Sequence, residues 1–429
     1  MTLHWRILAF AAGLAASASE PALPPADLAA LLAQAQAANP EIAAAMSLRA
    51  AAEAVPSQME ALPDPLASVS YTNETFTEFT LGEREDAVLT LSWTQEVPYP
   101  GKRRRAGDAA RLETLMRQRR LEGVRLEVAS RVKTTFADLY RVDRTAAILQ
   151  ESRKLLVSFL ETARTRYETG EGLLQNVLKA QTEVARLDAD LETFAQERRS
   201  LVASLNALAG RAEDAPLGPA RELPGIPGSL DLSGLERDAM ERSPEILELQ
   251  AAVERSESRL ELARLQLKPD LMWGAAYMNR GGLDPMIMGM FGMRLPLYRQ
   301  RKQVQGIVQS THELDAARRS VDTSHLKLLA DVRDLAARAD RADGRARLFA
   351  EGVIPQARAS LESASAAYGV GRVDFLTLLS DFTALLGYEV ELVAERAAHV
   401  DALARLERLT GRELIQVASP GAGEERGES

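Results

Sequence analysis

The sequence contains no cysteine, only four histidines and few aromatic residues (5%). Without cysteine there is no disulfide, no thiolate metal site and no catalytic thiol, and an acylated N-terminal cysteine is not expected. Long apolar runs are missing as well. Beyond the N-terminal segment, no stretch approaches the roughly 18 apolar residues that a membrane-spanning helix needs. A net charge of −9 argues against nucleic acid, which calls for a basic face. His312, His325 and His399 have no partners at ligand spacing and no acidic calcium loop occurs, so no metal cofactor is expected. There is no G-x-S-x-G, P-loop or dinucleotide fingerprint. The carboxylates are spread along helix faces opposite arginines, which is solvation and not acid–base machinery. No cofactor, catalytic site or enzyme activity is expected.

What is abundant is Ala, Leu, Arg and Glu, the mixture used by long amphipathic helices. Residues 1–18 read as an export signal. His4 and Arg6 form a weak basic start, Ile7 to Ala16 an apolar core, and Ala16-Ser17-Ala18 a small-residue cleavage site. An exported chain without apolar helices that still sits in a membrane must do so with strands, and hence in an outer membrane.

A duplication organises the rest. Asn39-Pro40-Glu41-Ile42 recurs as Ser243-Pro244-Glu245-Ile246, Leu62-Pro63-Asp64 as Lys268-Pro269-Asp270, and Glu96-Val97-Pro98-Tyr99 as Arg294-Leu295-Pro296-Leu297. Tyr167-Glu168-Thr169-Gly170 matches Tyr368-Gly369-Val370-Gly371, and Leu205-Asn206-Ala207-Leu208-Ala209-Gly210-Arg211 matches Leu406-Glu407-Arg408-Leu409-Thr410-Gly411-Arg412. The expected division is a first repeat at 19–211, a Pro/Gly-rich linker at 212–243, a second repeat at 244–412 and a flexible tail at 413–429. Each repeat opens with a helix, about 40–61 and then 244–267, with Asn39 or Ser243 as N-cap and Pro at N1. A β-hairpin follows (66–98 and 271–298), then a long helical hairpin (101–210 and 299–411).

The hairpin helices differ in length within each pair. The helix from Lys102 to about Tyr167 would be a rod of roughly 100 Å, and its return at 173–209 only about 55 Å. The 244–267 helix adds roughly 35 Å, so two short helices laid end to end match the long one. The second half repeats this with 299–367 against 373–411.

In the strands, Val69, Tyr71, Leu89, Leu91 and Trp93 alternate with Ser68, Ser70, Thr90, Ser92 and Thr94, while Leu271, Trp273, Ala275 and Tyr277 share one face. Alternating segments with aromatics on the apolar side are the signature of an outer-membrane barrel, although a half-buried soluble sheet alternates in the same way. Tyr71, Trp93, Trp273 and Tyr277 are the expected membrane-interface aromatics. Four strands cannot close a barrel, the smallest having about eight, so the chain must oligomerise as a dimer, a trimer or more.

At this point the residues resemble a known family, the TolC-type outer-membrane efflux proteins. The carriers are the duplicated plan, Arg166-Tyr167-x-x-Gly170 with Val177-Leu178-x-Ala180-Gln181, and the Leu-Asn-x-Leu-x-Gly ending at Gly210. Glu96-Val97-Pro98-Tyr99-Pro100-Gly101-Lys102-Arg103 resembles the strand-to-helix junction of the metal-efflux branch, the CzcC and CusC relatives. The resemblance implies a mainly α fold with a membrane β part: a homotrimeric barrel in outer-membrane lipid, continuous with a helical tunnel across the periplasm. It implies a periplasmic adaptor and an inner-membrane RND-type pump as partners, and a passive exit duct as the function. Metal cations, toxic organic compounds or secreted proteins could be the cargo. The strongest reading of another class is a periplasmic adaptor, which also uses long helical hairpins.

On the same resemblance, the turns with Tyr167, Gly170, Gly172, Tyr368, Gly371 and Arg372 are the periplasmic tip and adaptor contact, Gly170 and Gly371 supplying φ > 0. Asp374 and Asp381 are candidate aperture carboxylates, with a spacing from Gly371 that departs from the family pattern. Lys102, Arg103, Arg104 and Arg105 open a long helix against its dipole, with Arg299, Arg301 and Lys302 in the same place in the second half. They are read as a basic collar below the barrel, facing lipid phosphates. Met286, Met288, Met290 and Met293 invite a soft-metal reading, against pliable apolar filler.

Overall fold

A computed structural model describes residues 24–73, 78–225 and 230–417. The expected signal peptide and residues 418–429 lie outside the described residues. The first half runs α1 (Leu28–Ala38), α2 (Pro40–Glu53), α3 (Val55–Glu60), β1 (Leu66–Thr72), β2 (Val88–Val97), α4 (Lys102–Glu168) and α5 (Leu174–Leu208). The second runs α6 (Leu232–Arg242), α7 (Pro244–Leu265), β3 (Asp270–Arg280), β4 (Leu283–Arg294), α8 (Gln303–Arg347), a π-helical turn (Leu348–Val353), α9 (Ile354–Gly369) and α10 (Phe375–Thr410). The four strands form one antiparallel sheet in the order β1-β2-β3-β4. Among the described residues no helix is long and apolar enough to cross a membrane.

The long rod is α4, 67 residues or about 100 Å. Its first half is clasped by α3 and α2 through Arg111–Glu60 (2.6 Å) and Arg131–Glu41 (2.5 Å), and by α7 through an Arg255–Glu113 ion pair. Its second half carries α5, tied by Arg198–Asp143 (2.7 Å) and Arg153–Asp188 (2.5 Å). Two short helices therefore lie along one long one, as their lengths require. In the second half α8 meets α7 and α6 first, through Arg318–Glu257 and Arg333–Glu236, and α10 afterwards. Buried Leu156, Phe159, Leu187, Phe375, Leu378 and Phe382 pack the end of the rods that carries the turns. Leu235, Ile246, Val332, Val400 and Leu403 pack their middle. Each such side chain contributes roughly 1.5–3 kcal/mol by leaving water.

Several expectations need correction. The helix expected over 40–61 breaks at Ala54 into α2 and α3, because Pro56 has no N–H to continue the ladder. Asn39 does cap α2, its side chain accepting from the Glu41 and Ile42 amides at 2.8 and 3.3 Å. Ser243 makes no such bond at the start of α7. The 212–243 stretch is not all linker, since α6 fills its last third, as α1 precedes α2 in the first half. The rod expected over 299–367 starts at Gln303 and contains a π turn just before Pro355. The proline ring would strike the carbonyl four residues back, and the wider turn relieves that clash. Nor is the start of the 413–429 tail free. The buried Glu407 carboxylate accepts from the Leu414 and Ile415 amides, both at 2.7 Å, and Gln416 pairs with Gly225.

Candidate functional site

The sheet has two chemically distinct faces. Cross-strand register aligns Val69, Leu91, Tyr277 and Ile287 in one row, and Ala67, Trp93, Ala275 and Gly289 in the next. The same face carries Tyr71, Leu89, Leu271, Trp273 and Phe291, and it is bare: Ile287 is 85% exposed, Phe291 74% and Val69 68%. The opposite face carries Ser68, Ser70, Thr90, Ser92 and Thr94 on β1 and β2, with Met272, Met278, Met286, Met288 and Met290 on β3 and β4. Apolar area of this size facing water would be unstable, so something apolar covers the first face. Among the described residues, the outer edges of β1 and β4 are unpaired.

The aromatics expected at a membrane interface all lie on the apolar face. Trp93 and Trp273 meet edge to face at 4.8 Å, and Tyr71 stacks on Phe79 at 4.7 Å while its hydroxyl accepts from the Thr80 amide at 3.0 Å. Tyr277 is exposed. Gly281 and Gly282 join β3 to β4, whereas β1 and β2 are linked by a longer stretch, residues 73–87.

Of the seven residues expected to form a basic collar, four are exposed: Arg104, Arg299, Arg301 and Lys302. Lys102 is buried, its Nζ donating to Asp270 at 2.7 Å and to the Lys268 carbonyl at 3.0 Å, while the Tyr99 amide donates to the same Asp270 oxygen. Arg103 donates to the Glu60 carbonyl (2.8 Å) and Arg105 lies 3.7 Å from Asp108. These contacts explain why positive charge is tolerated against the dipole at the start of α4. Lys102 is a clamp between β3 and α4, not a lipid contact. Arg299, Arg301 and Lys302 precede α8 in a turn instead of opening it. Together with Arg104 they are exposed and make no side-chain hydrogen bond or ion pair among the described residues.

At the far end of the rods the two turns are built alike. Gly170 (φ 79°) and Gly371 (φ 76°) end α4 and α9, and the Glu171 and Arg372 amides close them on Arg166 and Ala367 carbonyls at 2.8 and 2.9 Å, a Schellman arrangement. Gly172 is required for a different reason, since a Cβ there would sit 2.9 Å from the Tyr167 nitrogen. The equivalent tyrosines differ. Tyr167 is exposed, whereas Tyr368 is buried against Phe375 (5.6 Å between rings). Burial pushes the Tyr368 hydroxyl pKa up, with the Arg166 charge opposing.

Arg166 was not singled out in the sequence as a site residue, yet it joins the two tips. Its guanidinium donates to the Tyr368 carbonyl at 2.5 Å and lies 5.2 Å from that ring's centre. Asp374 is the N-cap of α10, accepting from the Thr377 amide at 2.7 Å, and these Thr377 hydrogen bonds hold its pKa below the usual carboxylate range. Asp381 accepts from the Ser360 hydroxyl at 2.8 Å. Both carboxylates thus have local structural partners. Arg372 is exposed.

A buried ion pair, also unforeseen, fixes the middle of the molecule. Lys133 on α4 reaches Glu407 on α10 at 2.5 Å, both side chains 8% exposed. A lysine among positions that otherwise face the core (Val132, Phe136, Leu139) was the available signal. Among the described residues no group of His, Asp and Glu is arranged to hold a metal ion.

Comparisons with known proteins agree with this geometry. Residues 235–412 match the family model described as outer membrane efflux protein. No curated protein matches the chain by sequence. The fold is shared with the outer membrane protein VceC of Vibrio cholerae (18% identity, 90% of this chain and 96% of that one, TM-score 0.77) and with the outer-membrane channel OprN (16%, 96% and 99%, 0.78). It is shared also with CusC, described for its transmembrane channel formation (15%, 89% and 92%, 0.73). The second half thus carries a match to the outer membrane efflux protein family model, and over nearly its whole length the chain shares the fold of solved outer-membrane channel proteins.

Proposed function

We propose that the chain is the outer-membrane exit duct of a tripartite efflux assembly, located in the bacterial outer membrane and extending into the periplasm. The observation that carries this is the open sheet. Its two edges are unpaired and its apolar face is bare, so further copies must complete the hydrogen bonding and lipid must cover the outside. Three copies supply twelve strands, enough for a barrel with a water-filled lumen. The apolar, aromatic face then meets lipid and the Ser/Thr face lines the lumen. The rods carry the lumen across the periplasm to the Gly170 and Gly371 turns, where an adaptor and an RND-type pump would dock. A duct of this kind transports without covalent chemistry. Arg104, Arg299, Arg301 and Lys302, free of internal partners, are placed to meet lipid phosphates.

The test is single-channel conductance of the purified protein in planar bilayers. Wild type is expected to conduct weakly, because Arg166 latches the tips. Arg166→Ala is expected to raise conductance several-fold. Absence of conductance in both would sink the duct reading. For cargo, the Pro98 to Arg103 junction favours metal cations over organic compounds. A deletion strain should then lose tolerance to copper, silver, zinc, cobalt or nickel salts, and regain it on complementation. Loss of tolerance to dyes, bile salts and antibiotics alone would assign organic cargo instead.

A further inference from the structure

Six of the chain's 11 methionines fall between residues 272 and 293, and the sheet sorts them. Met293 lies on the apolar face, but Met272, Met278, Met286, Met288 and Met290 all share the Ser/Thr face. Their cross-strand partners are small. Met288 faces Ala276, Met290 faces Gly274 and Met272 faces Gly292, while Met278 and Met286 face each other. The side chains use that space. A Cβ on Gly292 would lie 2.9 Å from the Met272 sulfur, and one on Gly274 would lie 3.3 Å from the Met290 Cε. The thioethers therefore fold across the β3–β4 pair into one continuous band.

The band is not core filler, because Met288 and Met290 are exposed and Met286 is 52% exposed, with no helix seated over them among the described residues. Nor is it a lipid surface, for it continues the Ser/Thr face, while the face that meets lipid carries the exposed Ile, Leu, Phe and Trp side chains. Of the nearby charges, Arg294 pairs with Glu96 at 2.6 and 3.0 Å and Lys102 with Asp270, while the exposed Asp284, two residues before Met286 on β4, makes no ion pair among the described residues. What remains on this face is thioether sulfur beside that carboxylate and the hydroxyls of Thr90, Ser92 and Thr94. Thioethers select soft monovalent cations over hard or borderline ones.

Resting on the duct reading, we propose that this band is a luminal relay site for Cu(I) or Ag(I), which pass from thioether to thioether along β4. Spacing of about 6.8 Å between alternate residues of a strand, with cross-strand neighbours closer, lets successive sulfurs share a cation without holding it tightly. Weak, repeated sites are what conduction requires.

The test uses the purified full-length protein in detergent and Ag(I) as probe, in chloride-free buffer, read by calorimetry. Wild type is expected to bind at least one Ag(I) per protomer and no Zn(II). The volume-conserving Met286→Leu/Met288→Leu/Met290→Leu variant should bind at least tenfold more weakly, and Met293→Leu, on the other face, should bind as wild type does. In planar bilayers Ag(I) should cause brief blocks in wild type but not in the triple variant, at equal potassium conductance. Equal Ag(I) binding by the triple variant, or none by a conducting wild type, would overturn the proposal and leave the methionines as an apolar lining. Ag(I) binding lost in the triple variant, without conductance in any protein, would keep the thioether site and overturn the duct.

Discussion

At the residue scale, the buried polar groups of the rods do the fixing that capping and turn residues do at the ends. Lys133 and Glu407 are both removed from water, and Glu407 also holds two tail amides. Lys133→Met leaves a carboxylate buried without its cation. That should destabilise by about 3–5 kcal/mol, read as a lowered denaturation midpoint in detergent; a change below about 1 kcal/mol would show that water replaces the lysine. His399 is a second buried group, held by desolvation below the usual imidazole pKa despite Asp343 at 3.9 Å and Asp340 nearby, with Arg347 adding to the lowering. Below about pH 6.5 the unfolded imidazole takes up a proton that the folded one resists, so stability contributed by neutral His399 falls as pH drops through that value. His399→Gln should flatten the decline in unfolding temperature between pH 7 and 5; an unchanged slope would assign it to other groups.

Elements are the scale at which periodicity was informative and interruptions were not. The alternation in β1, β2 and β3 and the glycines at 170 and 371 could be assigned from residue type alone, because a pleat or a positive φ leaves a local mark. The π turn before Pro355 and the break at Ala54 were hidden, since helical spacing continues through both and only the backbone shows the adjustment. The same applies to the basic residues. Lys102 and Arg104 read alike in sequence, but Asp270, far along the chain, claims one of them. The sheet's faces make a direct prediction. Phe291→Lys, which puts a charge on the bare apolar face beside Trp273, should lower the yield of heat-modifiable, folded protein on gels. Ser92→Lys, on the opposite face, should fold and alter only ion selectivity. Equal effects of the two would reverse the assignment of faces.

For the whole molecule, the unpaired edges of β1 and β4 dictate assembly. Because the chain has no native cysteine, crosslinks can be placed on a clean background. Val69→Cys combined in turn with cysteine at Ile287, Gly289 or Phe291, all on one face, should give an oxidised ladder ending at a trimer for one of the pairs. A ladder ending at a dimer would overturn the trimer, and no ladder would mean that β1 and β4 do not meet between copies.

Residue order alone determined the duplication, the amphipathic rods, the alternating strands and the glycine turns, since each depends on neighbours within a few positions along the chain. Tertiary structure decided that Met272 and Met278 join Met286, Met288 and Met290 on one face, which basic residues are free, and that Arg166 reaches the Tyr368 carbonyl 202 positions away. Those facts depend on strand register and helix packing, and residues brought together from separate repeats leave no periodic trace in the sequence.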